Sequence, residues 1–146
     1  MSGPTDPAEA HFDKGSWGWD LTQWRKLGLL WGYTDRLAER AFDLDAAAGS
    51  NTLSLGAVPS GEVWSVSLLT AVDWTSAVTG ITVQLFVGAD DYYLGLRGVT
   101  AAAVSVEIQG PIIAKTGDIL RVNMGGCTLH DVLAFYVNGY KMAVGQ

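Results

Sequence analysis

The stretch Trp64-Ser65-Val66-Ser67-Leu68-Leu69-Thr70-Ala71-Val72-Asp73-Trp74 places Trp64, Val66, Leu68, Val72 and Trp74 on one side of an extended chain, with Ser65, Ser67 and Asp73 on the other. Successive side chains of a strand point to opposite faces, so this period of two predicts a half-buried β-strand. The period recurs downstream. Ile81, Val83, Leu85 and Val87 repeat it, then Tyr92, Leu94 and Leu96, then Val104, Val106 and Ile108, then Leu120, Val122 and Met124. Leu133, Phe135 and Val137 lead into Asn138-Gly139, the dipeptide suited to a type I′ hairpin, ahead of Tyr140, Met142 and Val144. With Thr52 to Val58, about eight strands are expected.

Turn residues separate them: Pro59-Ser60-Gly61, Thr79-Gly80, Gly88-Ala89-Asp90-Asp91, Gly110-Pro111, Thr116-Gly117-Asp118 and Gly125-Gly126. Short strands in close succession, with no helix between them, specify a mainly β fold, and eight fit a jelly-roll-like antiparallel β-sandwich. No internal repeat is evident, which argues against a propeller or β-helix.

Upstream of this body the pattern differs. Residues 1–45 hold thirteen of the 24 charged residues and four of the six tryptophans. Residues 1–14 lack periodicity and read as an extended leader. From Trp17 apolar residues fall at 17, 21, 24, 27, 30 and 31, with Asp20 and Gln23 placed as a capping box and Gly32 as a stop, so a short helix is expected near 21–31. Over Tyr33 to Leu44, Tyr33, Leu37, Ala41 and Leu44 keep a helical stripe, although Phe42 and Leu44 also alternate with Asp43 and Asp45; helix is the expectation. The chain thus divides into an N-terminal arm, residues 1–48, and a sandwich body, residues 49–146.

The 146 residues are 49% hydrophobic and 16% charged, with a formal net charge of −6. So few charges leave apolar surface for a partner to cover. The acidic balance disfavours nucleic acid. No apolar run approaches the roughly 20 residues of a membrane span, and Met1 to Asp20 lacks the basic and apolar regions of a signal peptide, so synthesis in a cytoplasm is expected. The lone Cys127 excludes an internal disulfide framework and any multi-cysteine metal site.

Reactive residue types are sparse. His130-Asp131 near Cys127 would need a convergence that neighbouring strand positions do not provide. Asp90-Asp91 falls short of a calcium ligand set, His11 and His130 are too isolated for zinc, and no phosphate-loop or dinucleotide-binding motif is present. No enzyme activity, cofactor or metal is expected. The tryptophans are more informative, because each indole offers about 150–250 Å² of buriable surface and tryptophan is enriched at binding hot spots. Trp17, Trp19, Trp24, Leu27 and Trp31 are the candidate interface anchors. Among the body aromatics, Trp74 and Tyr92 lie on apolar strand faces and are expected in the core; Tyr93 and Tyr136 are the candidates for stacking on a ligand such as a sugar ring.

Three segments, Val58-Pro59-Ser60-Gly61-Glu62-Val63-Trp64-Ser65-Val66, Gly117-Asp118-Ile119-Leu120-Arg121-Val122, and Asp131-Val132-Leu133 running into Val137-Asn138-Gly139-Tyr140, together resemble small β-sandwich virion proteins of tailed bacteriophages. The resemblance implies a capsid decoration (cement) protein or a related head or tail accessory protein. Such a protein is commonly trimeric, with an arm that clasps the major capsid protein or a neighbouring virion subunit. The expected location is then the capsid surface. Two rival readings are a carbohydrate- or receptor-binding module of a tail or fibre, and a head-to-tail connector or tail-assembly protein.

Overall fold

In the computed structural model the described residues are 17–19, 24–26 and 33–144. They contain ten strands: β1 (Trp17–Trp19), β2 (Trp24–Lys26), β3 (Tyr33–Ala46), β4 (Gly49–Ser54), β5 (Glu62–Asp73), β6 (Gly80–Val87), β7 (Asp90–Arg97), β8 (Val106–Lys115), β9 (Ile119–Cys127) and β10 (Asp131–Ala143). β1 and β2 pair with each other, and the other eight form two four-stranded sheets in the orders β3-β10-β5-β8 and β4-β9-β6-β7.

All the pairings are antiparallel, and β3 pairs with β10, β4 with β9, β5 with β8 and β6 with β7. Those are the pairs of one long hairpin closed at the β6–β7 turn. Successive pairs land in opposite sheets, and the additional ladders β10·β5 and β9·β6 join them into two sheets. A long hairpin wrapped in this way is a jelly roll, the expected architecture.

The core lies between the sheets. Leu37, Val66, Leu69, Ala71, Leu133, Phe135 and Val137 of one sheet meet Leu53, Ile81, Val83, Leu120, Val122 and Met124 of the other. Alternation along β6 and β9 puts Ile81 and Val83, and Leu120, Val122 and Met124, inward as the sequence predicts.

Several local expectations change. Tyr33–Ala46 is a strand that pairs along its length with β10, so the helical reading of Tyr33 to Leu44 is wrong. Leu37 and Ala41 face the core beside Gly139 and Phe135, and packing against β10 selects between two periods that the residues alone allow. The sandwich therefore starts at Tyr33, within the residues assigned to the arm. Of the helix expected near 21–31, only Trp24–Lys26 is described, and it is a strand. The rest of that helix, including Leu27 and Trp31, lies outside the described residues.

The Asn138-Gly139 hairpin is also absent, because β10 runs unbroken from Asp131 to Ala143. Gly110-Pro111 likewise lies inside β8, joined by a cis peptide bond. Both dipeptides sit beside an irregularity in β5. The register of β5 shifts against β10 at Asn138/Gly139 and against β8 between Val66 and Leu68. One extra residue reverses every later side chain, since the period is two. Trp64 and Val66 are therefore buried, while beyond the bulge Leu69 and Ala71 take over the core face. Leu68 and Val72, expected alongside Trp64, share the outer face with Thr70.

Candidate binding face

Outward-facing positions of β3 and β10 form a ladder of polar and aromatic side chains. Leu37 is inward, which turns Arg36, Ala38 and Arg40 outward; Val137 and Phe135 are inward, which turns Tyr136, Asn138 and Tyr140 outward. In register, Arg36 faces Tyr140, Ala38 faces Asn138, and Arg40 faces Tyr136. An arginine–tyrosine pair thus occurs twice, four residues apart along the strand, with the small Ala38 between on the same face. Two shallow hollows result. One of about 390 Å³ is lined by Arg36, Ser67, Asn138, Gly139 and Tyr140. The other, of about 340 Å³, is lined by Ala38, Glu39, Arg40, Tyr136 and Asn138.

The next register extends the row. The Phe42 ring meets that of Tyr136 edge-on at 5.5 Å, and the Arg40 guanidinium stands 5.4 Å over Phe42. Edge-to-face rings and a cation over a ring are each favourable geometries, and together they hold the aromatic wall in place. Neither Arg36 nor Arg40 forms an ion pair among the described residues, whereas Arg121 on the other sheet is bound to Asp91 at 2.5 Å.

Tyr93, the second stacking candidate, lies on the outer side of β7 opposite Gln84 and is 73% exposed. Tyr136 belongs to the other sheet, so the two tyrosines do not converge on one site. Trp74 and Tyr92, expected in the core, are about half exposed. A register shift between Val83 and Gln84 leaves Leu94 as the extra residue of β7, so Leu96 falls opposite Thr82 and points away from the core. With Val99 beyond it, β7 presents an apolar edge of Tyr92, Tyr93, Leu96 and Val99. The side chains of Trp17, Trp19 and Trp24 lie outside the described residues; their backbones form the β1–β2 pair, with Trp19 opposite Trp24.

The reactive groups are dispersed. His130 is exposed and paired with Asp45 of the β3 end, whereas Asp131 points inward and Cys127 is buried. A cluster that the sequence reading missed does form from three strand ends: ligand atoms of Asp73, Cys127 and Asp131 lie within 4.8 Å of one another. Distant positions along the chain meet there, so no local spacing signals it.

Hydrogen bonds already occupy most of this cluster. The Thr75 and Ser76 N–H groups donate to Asp73 Oδ1 at 2.9 Å and 3.1 Å, and the Ser76 hydroxyl and Thr128 N–H donate to Asp131 Oδ2 at 2.6 Å and 2.5 Å. The Thr75 hydroxyl lies 3.0 Å from both Asp73 Oδ1 and Asp131 Oδ1 and accepts the Val132 N–H. Asp73 Oδ2 alone among the carboxylate oxygens of this pair is buried without a partner. Burial opposes the charge of Asp131, but the donors from Ser76, Thr128 and Thr75 outweigh it and hold the carboxyl below its ordinary 3.8. Burial pushes the Cys127 thiol above 9.0, and the nearby carboxylates add to the rise against a contact to Asn51. These hydrogen bonds tie the ends of β5 and β10 to the residues that follow β5 and β9.

No family model matches the chain, and no curated protein matches it. Among solved structures, a chain from the structure of infectious bursal disease virus Gt strain is similar with a TM-score of 0.28 and 13% sequence identity, over 75% of this chain and 32% of that one. The present chain thus spans about a third of the length of that viral neighbour.

Proposed function

We propose that this chain is a non-enzymatic structural protein of a virion, a capsid decoration protein that binds the head as a homo-oligomer, with a trimer as the working state. The observation that carries the reading is the apolar edge of β7. Tyr93 and Leu96 of β7 are 73% and 77% exposed and Val99 just beyond it 78%, along a strand whose outer backbone edge has no neighbour in its sheet among the described residues. An isolated sandwich leaves such an edge open to uncontrolled pairing, and a defined subunit contact covers it. The jelly roll supports the same reading as a stiff platform that pairs nearly all its strands internally. The arm anchors Trp17, Trp19, Trp24, Leu27 and Trp31 are then the contact to the major capsid protein or a neighbouring subunit, where several weak contacts per oligomer add avidity.

Three measurements test this reading. Tyr93→Glu with Leu96→Glu should convert the oligomer to monomer in sedimentation velocity while the melting temperature of the sandwich stays within a few degrees. Deletion of residues 1–31 should abolish binding to capsids; a truncation that binds fully refutes the arm as anchor. Hundreds of copies per particle are expected for decoration, against about six to twelve for a connector, the ring symmetry of a tail junction.

A carbohydrate-binding module of a tail or fibre is the second reading. The outward-facing ladder with the half-buried Tyr136 favours it.

A further inference from the structure

We propose that the outer β3–β10 ladder binds an anionic polysaccharide lying along the strands, each arginine–tyrosine pair taking one acidic sugar. The inference deepens the carbohydrate reading and does not depend on capsid decoration. Three features of the ladder support it.

The first is charge. The chain carries nine basic against fifteen acidic residues, yet Arg36 and Arg40 stand exposed on one face with no ion pair among the described residues. A guanidinium is a planar fork that donates two parallel hydrogen bonds to a carboxylate, so an exposed arginine is a ready partner for an acidic group.

The second is pairing. Tyr140 stands opposite Arg36 and Tyr136 opposite Arg40. A sugar ring has an apolar face and a polar rim; the tyrosine covers the face while the arginine takes the acid. Asn138, between the pairs and shared by both hollows, offers an amide donor and acceptor to ring hydroxyls.

The third is spacing. Four residues of strand separate Arg36 from Arg40, about 13 Å at 3.3 Å per residue. That length holds a few linked sugar rings, and Ala38 leaves the hollow between the pairs open. A free monosaccharide would engage only one pair. A polymer engages both, which raises its apparent affinity through effective concentration. Nucleic acid, with a charge per roughly 1.7 Å of duplex axis, meets the repulsion of a chain of net charge −6 far more strongly than a sparsely charged polysaccharide does. Glu39 at the rim of the second hollow adds to that discrimination.

Affinity electrophoresis of the full chain in gels containing polygalacturonate, hyaluronate or polysialate tests this, with neutral dextran as reference. Retardation by at least one acidic polymer and none by dextran is expected. Arg36→Gln combined with Arg40→Gln should weaken it by about tenfold or more, as loss of charge-assisted hydrogen bonds predicts. Tyr136→Ala should weaken it as well, with the melting temperature of each variant measured alongside. Arg97→Gln, which removes one positive charge from the other sheet, should leave it unchanged. Three results overturn the inference: no retardation by any of the acidic polymers, retardation of the double variant equal to the parent chain, or tighter binding of single-stranded DNA through the same arginines. None of these bears on capsid binding, so the two readings fail separately.

Discussion

Two glycines show how one residue can serve a purpose its neighbours do not announce. A Cβ on Gly139 would lie 2.1 Å from the Ser65 carbonyl oxygen, and one on Gly110 would lie 1.9 Å from that of Val66. Both glycines press onto β5 from opposite sides at its bulge, so each is required by close approach of backbones rather than by a turn. Gly139→Ala should cost about 2–4 kcal/mol in chemical denaturation, because strand separation and lost ladder bonds combine; a loss under about 0.5 kcal/mol, the size of an ordinary surface substitution, would refute that close approach. Asp131 supplies a second residue-scale test. Its carboxyl is held below 3.8 in the fold, so it contributes stability that is present above that value and lost as the pH falls through its lower folded value. Melting temperatures should therefore drop in acid below about pH 4, and Asp131→Asn should flatten that drop while lowering stability at neutral pH. An acid limb of the same depth in Asp131→Asn would remove the Ser76–Thr128 network as its cause.

At the scale of elements, β10 is the strand on which the first sheet depends. It is flanked by β3 and β5, buries Leu133, Ala134, Phe135 and Val137, and turns Tyr136, Asn138 and Tyr140 to the outer face. Phe135→Ala should cost about 3–5 kcal/mol, read as a fall in the denaturation midpoint, since a fully buried ring leaves a cavity. Periodicity in Leu133, Phe135 and Val137 was legible without a structure. The continuation through Gly139 was not, because Asn-Gly is equally a turn signal and a place where another backbone can come close. β3 carries the same lesson in another form. Leu37 and Ala41 satisfy both a helical stripe and an alternating strand, and only the open side of β10 chooses between them. Trp74 and Leu96 depart from the expected face because a bulge of one residue, invisible to composition, turns everything after it to the other face; Tyr92 precedes its bulge and is exposed near the start of the edge strand β7. Tyr93 is exposed and Tyr136 half-buried on an outward face; Arg40 opposite Tyr136, and Arg36 opposite Tyr140, were not legible as their neighbours, since those arginines fall in a segment whose residues also fit a helix.

From Tyr33 onward the described chain is one long antiparallel hairpin wound into two sheets, with its exposed β7 edge and its arginine–tyrosine ladder on different sheets. A protein built this way can meet a subunit with one surface and a ligand with another. Tyr93→Glu with Leu96→Glu should therefore alter oligomeric state without altering retardation by an acidic polysaccharide, and the arginine variants should do the reverse; coupled loss of both would show that the two surfaces are not separate. By itself the sequence determined the class: alternation at short intervals, with turn residues between, leaves a β-sandwich core as the place for so many apolar side chains. It also determined that few charges cover the body, because composition survives any rearrangement of strands. Which strands become neighbours, where the bulges fall, and which side chains of β3 stand beside those of β10 were decided only by the tertiary structure. Those outcomes depend on pairings between residues some hundred positions apart, and no local period carries that information.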